Sequence, residues 1–107
     1  MNTTPYYKNV FHQELMHSMI HRKESEVLEI LKKEDINYNY KNNHGWTILS
    51  WAIQHKMKKI ALYLLKKEDI NYNEKDKFGK TELMYAIKNN MESVVSKLLK
   101  KEDINYN

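Results

Sequence analysis

Nine consecutive residues, LeuLysLysGluAspIleAsnTyrAsn, occur three times in this chain, at Leu31–Asn39, Leu65–Asn73 and Leu99–Asn107. The spacing is 34 residues each time, without drift. An identity that long at a fixed period means one structural unit repeated in tandem. The chain therefore divides into copies at 6–39, 40–73 and 74–107, and 1–107 forms a single repeat domain. A stack of such units offers a long surface more readily than a deep catalytic pocket.

The middle copy shows what each unit contains. Gly45 and Thr47 precede Ile48, Leu49, Ala52 and Ile53, which share one face of a helix with Thr47 as a plausible N-cap. Gln54–Lys56 interrupt the pattern, and Met57, Ile60, Ala61, Leu64 and Leu65 resume it on a second helix. Lys66 and Lys67 then place cations at the helix exit, where the helix dipole favours them. Copy three repeats the logic with Gly79, Thr81, Leu83, Ala86 and Ile87, then Met91, Val94, Val95, Leu98 and Leu99. Each unit reads helix, tight turn, helix, long polar loop. The expectation is an all-α solenoid of six helices in three antiparallel pairs.

A period of 34 also fits the tetratricopeptide repeat, whose helices are longer and whose turns are short. Here the run from Asp69 to Phe78 carries no helical period, which leaves too few residues for two long helices. Long loops with short helices instead resemble the ankyrin repeat. GlyTrpThrIleLeuSerTrpAlaIle at 45–53 and GlyLysThrGluLeuMetTyrAlaIle at 79–87 are similar to that family's Gly-x-Thr-Pro-Leu-His-x-Ala-Ala. LeuLeuLysLysGluAspIleAsn at 64–71 and 98–105 is similar to its Leu-Leu-x-x-Gly-Ala-Asp-Val-Asn. The departures are Ile48 and Glu82 for the Pro, Ser50 and Met84 for the His, no Gly between the helices, and a Glu for the Gly-Ala before the loop.

The resemblance implies an L-shaped unit with helix pairs side by side and loops projecting as β-hairpins. Inner helices and hairpin tips would line a concave face that binds another protein. It also implies that Asn37, Asn71 and Asn105 tie the loops through side-chain hydrogen bonds above buried Ile36, Ile70 and Ile104. Tyr38, Tyr72 and Tyr106 would form a stacked ladder or, less economically, a ligand platform.

Copy one departs from the unit. Phe11, Gln13, Ser18, Glu26 and Glu29 replace Gly45, Thr47, Ala52, Ile60 and Tyr63, and Ser96 and Lys97 of copy three replace Leu62 and Tyr63. A terminal repeat has one face in water, so these changes read as end caps on a monomeric three-repeat array. A segment cut from a longer array is the alternative.

Composition narrows the chemistry. Cysteine is absent, which excludes a disulfide framework and thiolate metal sites and fits a reducing compartment. The N-terminus lacks the apolar run of a secretory signal, and Ile60–Leu65, the longest apolar run, cannot span a bilayer. The expected location is cytoplasm, the cell's own or a host's. Seventeen Lys and one Arg stand against 14 acids for a net charge of +4, and 12 Asn accompany them. This is the residue drift of an AT-rich genome. Nucleic-acid recognition would call for the Arg fork that is almost missing here, so that reading ranks low. His17 and His21 have ligand spacing on a helix, but His12 to His17 reads His-x-Glu-x-x-His, not the metalloprotease order, so surface histidines outrank a zinc site. The Glu-Asp pairs at 34–35, 68–69 and 102–103 recur in every copy, whereas an active site is singular, so neither catalysis nor a cofactor is expected. The lysine pairs at 32–33, 58–59, 66–67 and 100–101 fall on or after second helices, on the solvated convex side.

Residues that vary between copies at non-core positions carry the specificity. By the resemblance these are Asn43, His44, Trp46, Gln54 and His55 in copy two, and Lys77, Phe78, Lys80, Lys88 and Asn89 in copy three. Trp51 and Tyr85 stand on the inner helices beside them. Aromatic residues dominate binding hot spots, and Trp46 and Phe78 look surplus to the fold. The function expected is partner binding through this face as an adaptor, an inhibitor or an immunity-type factor, with an acidic protein suited to the lysines. A structural segment of a larger protein is the alternative.

Overall fold

The computed structural model describes residues 15–17, 19, 21, 23–33, 36–101, 103 and 104. It contains five helices: α1 (Glu24–Lys33), α2 (Ile48–Gln54), α3 (Lys58–Leu65), α4 (Glu82–Lys88) and α5 (Glu92–Leu99). Residues 15–17 are also helical, where the first helix of copy one is expected, and no strand occurs among the described residues. Phe11, Gln13, Ser18, Glu34, Asp35, Glu102, Asn105 and Tyr106 lie outside them, as does His12.

The short helices start where their caps allow. The Thr47 hydroxyl accepts from the Ser50 amide, and the Ser50 side chain reaches back to the Thr47 amide, a capping box on α2. Thr81 caps α4 in the same way through the Met84 amide. The second helices begin at Met57 and Met91, which offer no side-chain cap. For α3 the missing acceptor comes from the preceding copy: the Ile60 amide donates to Glu24 Oε2 at 3.0 Å.

The turn between paired helices needs a left-handed residue where the family uses Gly. Lys56 (φ 59°) and Asn90 (φ 57°) fill that role here. Each lets the next residue fold back, Met57 N–H onto Ala52 O at 2.8 Å and Met91 N–H onto Ala86 O at 3.0 Å.

Stacking follows the resemblance. Inner helices α2 and α4 pack side by side, as do outer helices α1, α3 and α5, and each pair closes on itself. The core is one continuous apolar strip from Leu15 and Met16 to Val94 and Leu98. Leu49, Ala52, Ile60 and Leu64 of the middle copy are fully enclosed, since this copy has a neighbour on both sides. Glu26, Glu29, Ser96 and Lys97 are exposed. So are Ile87 (56%) and Leu99 (43%) on the far face of copy three.

The loops are joined by a ladder of amides, with a shift from the expected residue. Asn37 Oδ1 accepts only locally, from the Asn39 amide at 3.1 Å. The inter-copy rungs come from the second asparagine: Asn39 Nδ2 donates to Asp69 O at 2.8 Å, and its Oδ1 accepts from the Asn71 amide at 2.8 Å. Asn73 Nδ2 likewise donates to Asp103 O at 2.7 Å. Ile36 and Ile70 are buried beneath, while Ile104 is half-buried. Tyr38 and Tyr72 are each covered by a lysine of the next copy, Lys67 at 5.2 Å and Lys101 at 5.3 Å from the ring centres. The ladder expected of the tyrosines thus has cation–π rungs.

Candidate functional site

Two hairpin tips and two inner-helix starts build the candidate surface. In copy two, Asn42 Oδ1 accepts from the amides of His44 (2.9 Å) and Trp46 (3.0 Å). In copy three, Asp76 Oδ1 accepts from the amides of Phe78 and Lys80, both at 2.9 Å. The tips turn at Gly45 (φ 81°) and Gly79 (φ 77°), left-handed positions that favour glycine. A side chain at position 45 would also meet the Asp76 backbone, with Cβ 3.2 Å from its Cα.

Asp76 fastens the two tips together. Its Oδ2 accepts from the Trp46 indole N–H at 2.7 Å and from the Tyr85 hydroxyl, while the Lys77 amide donates to His44 O at 2.9 Å. Burial pushes the Asp76 carboxyl up. Hydrogen bonds from Tyr85, the Lys80 amide, Trp46 and the Phe78 amide together outweigh that and hold it below the ordinary carboxylate range. Tyr85 moves the other way: burial and the neighbouring Asp76 carboxylate push its hydroxyl up to about 12.

The tips carry a run of rings. His44 stacks on Trp46 with centres 4.6 Å apart and faces Phe78 at 6.0 Å. Trp46 leans on Trp51 at 5.6 Å, and Trp51 meets His55 at 4.9 Å and His17 at 6.1 Å. Phe78 stands 59% exposed at the outer edge. A half-enclosed pocket of ≈ 220 Å³ opens beside the run, lined by Met16, His17, Asn42, Asn43, His44, Trp46 and Trp51.

His44, Trp46, Trp51, His55 and Phe78 are thus one contiguous surface, and Tyr85 joins it through Asp76. Lys77, Lys80 and Lys88 are exposed. Two of the sequence-selected residues have structural duties instead. Asn89 Nδ2 donates to Ile53 O at 2.9 Å, closing the end of α2. Gln54 is half-buried, with its Nε2 enclosed and unpartnered. Trp46 is not surplus to the fold: it is half-buried, packs on the core and holds Asp76. Sequence reasoning missed Asn42 and Asp76, although both stand three residues before the hairpin glycine, and it missed His17 as a pocket residue. His17 and His21 are exposed, and among the described residues no three His, Cys, Asp or Glu gather as a metal group. No helix is long and apolar enough to cross a membrane among those residues.

Short capped helix pairs, left-handed turns and asparagine-tied hairpins define a helical repeat solenoid. The chain belongs to the ankyrin-repeat family: the model for ankyrin repeats, written for three copies, matches residues 2–76. No curated protein matches it. Among solved structures it is similar to a chain in the complex of a predatory endopeptidase from Bdellovibrio bacteriovorus with an immunity protein, at 22% identity and a TM-score of 0.65. That likeness covers 96% of this chain and 49% of the neighbour, so the chain spans about half of the neighbour's length.

Proposed function

We propose that the chain is a non-enzymatic module that docks a partner protein on the hairpin side of its inner helices. The observation that carries this reading is the ring surface of His44, Trp46, Trp51, His55 and Phe78 beside an open pocket of ≈ 220 Å³. Large aromatics on a partly desolvated surface give the most binding energy per residue. Exposed Phe78 lies outside the repeat core, so it is available for contact. Lys77, Lys80 and Lys88 favour an acidic partner and act mainly on the association rate. The ankyrin fold also occurs without a concave ligand, as a spacer in larger proteins; the ring surface favours the binding module over that reading. The likeness to a complex containing an immunity protein supports one particular form, an inhibitor that masks a target enzyme.

The test compares two double variants against a partner captured by in-cell crosslinking and then purified. His44→Ala with Phe78→Ala removes exposed rings and spares Trp46, whose indole holds Asp76. Lys58→Glu with Lys66→Glu changes the opposite side. The ring variant is expected to weaken binding by about 30-fold, the equivalent of one hot-spot residue, with unchanged helicity. The lysine variant is expected to stay within about threefold, as rim charges do. Loss of binding in the lysine variant alone would reverse the assignment. An inhibitor additionally requires that the captured partner lose activity in the complex.

A further inference from the structure

The two ends of the array differ in kind. Each copy has positions that face backward, toward the preceding copy, and positions that face forward. Ile60 and Leu64 face backward, and their counterparts Val94 and Leu98 are equally enclosed although copy three has no described successor. Ile53, Ala61 and Leu65 face forward and are 0%, 0% and 4% exposed under copy three. At the leading end the backward position equivalent to Ile60 is Glu26, exposed and charged. At the trailing end the forward positions keep their internal chemistry, as Ile87, Val95 and Leu99. Ile87 is 56% and Leu99 43% exposed, and Val95 is half-buried. Together they floor a shallow groove of ≈ 540 Å³ whose rim carries Glu92 and Lys100.

This face is therefore the same apolar surface that copy three covers inside the molecule, continued one period further. Head-to-tail stacking of a second chain would press Glu26 onto it, removing a carboxylate from water without a partner. Pairing the face with itself has no such penalty. A two-fold axis sets Ile87, Val95 and Leu99 of one chain against the same residues of the other. It also lets Glu92 of each chain meet Lys100 of its mate, so the rim pair forms twice.

We propose that the trailing face, floored by Ile87, Val95 and Leu99, joins two copies of this chain tail to tail. The interface is small, two short helix edges from each side, and belongs to the weak, reversible class. It lies apart from the ring surface, so it neither requires nor excludes partner binding there.

Sedimentation velocity of the full chain tests it, read from about 5 to 500 μM, a range suited to an interface of this size. The mass is expected to rise from 13.0 kDa to twice that value and stop. Ile87→Asp with Leu99→Asp should hold the chain monomeric throughout, with an unchanged dichroism spectrum because both side chains are already exposed. Glu92→Lys and Lys100→Glu should each weaken association several-fold, and their combination should restore it. Phe78→Ala should leave association unchanged. A parent chain that stays monomeric to the highest concentration overturns the proposal, and so does mass growing beyond two, which is head-to-tail stacking. A charge-reversed pair no better than its single variants overturns the two-fold arrangement.

Discussion

Replacing Glu82 with isoleucine should stabilise this protein at neutral pH. Glu82 opens α4 and is 5% exposed, at the position where copy two has the fully enclosed Ile48. Its Oε2 accepts from the Ser50 hydroxyl at 2.8 Å, but its Oε1 is buried without a partner. Burial raises the carboxyl above its ordinary range, and the Ser50 hydrogen bond offsets only part of this. Glu82→Ile gives up a hydrogen bond to a charged group, about 1.5–3 kcal/mol, and an acid in the first helical turn, about 0.3–1 kcal/mol. It gains burial of an apolar side chain, about 1.5–3 kcal/mol, and removes an unsatisfied buried oxygen, about 1–3 kcal/mol. The Ser50 hydroxyl keeps Thr47 as a partner. The balance is a gain of about 1 kcal/mol, or roughly 4–8 °C in melting temperature for a domain of this size.

The pH dependence makes that prediction specific. A carboxyl raised in the folded state makes its full contribution to stability below its unfolded pKa and loses it as pH rises through the folded value. The advantage of Glu82→Ile should therefore be larger at about pH 7 than at about pH 4. Urea unfolding of parent and variant at both values reads the difference directly. A variant less stable than the parent at neutral pH would refute the reasoning, and a difference independent of pH would show that the carboxyl is not raised.

Leu64→Ala should destabilise by about 2–5 kcal/mol in urea unfolding, the range for an enclosed leucine, whereas Leu99→Ala should lose less than about 1 kcal/mol; equal losses would mean the forward and backward faces have been misassigned. Gly45→Ala should lower stability by about 2–3 kcal/mol, and Gly79→Ala by about 1 kcal/mol. Both residues have positive φ, but only position 45 would drive a Cβ against the Asp76 backbone, so equal thermal shifts would remove that contact from the explanation.

Most of the fold was legible because it is periodic. The repeated string set the register, and apolar spacing located the helix faces. Thr47 and Thr81 marked helix starts that the caps confirm. Residues whose role depends on the next copy were harder to read. Asn37 and Asn39 are the same chemical group two positions apart, and only the path of the neighbouring loop decides which one bridges. The lysines over Tyr38 and Tyr72 come from the following helix exit, and a sequence scan assigns such residues to solvent by default. Asn42 and Asp76 did have a signal, a polar side chain three residues before each hairpin glycine. It went unread because variable loop residues were weighed for contact with partners and not for hydrogen bonds to their own backbone. At the trailing end, Ser96 and Lys97 drew notice as changes, while Ile87 and Leu99 escaped it because they match the repeat.

The Asp76 carboxylate bears on the thermodynamics of recognition. It gathers two loop amides, an indole and a phenol, so both hairpin tips and the start of α4 are held at one point. His44 and Phe78 ride on those tips. Their backbones have already given up most of the freedom that loop residues surrender on binding, commonly about 1–2 kcal/mol per residue fixed. A ligand meeting these rings would order side chains alone, with little loop entropy left to lose. The signature to expect is fast association with a small unfavourable entropy. Exchanging Asp76 for alanine would leave every contacting ring in the sequence, yet return that ordering penalty to the binding step.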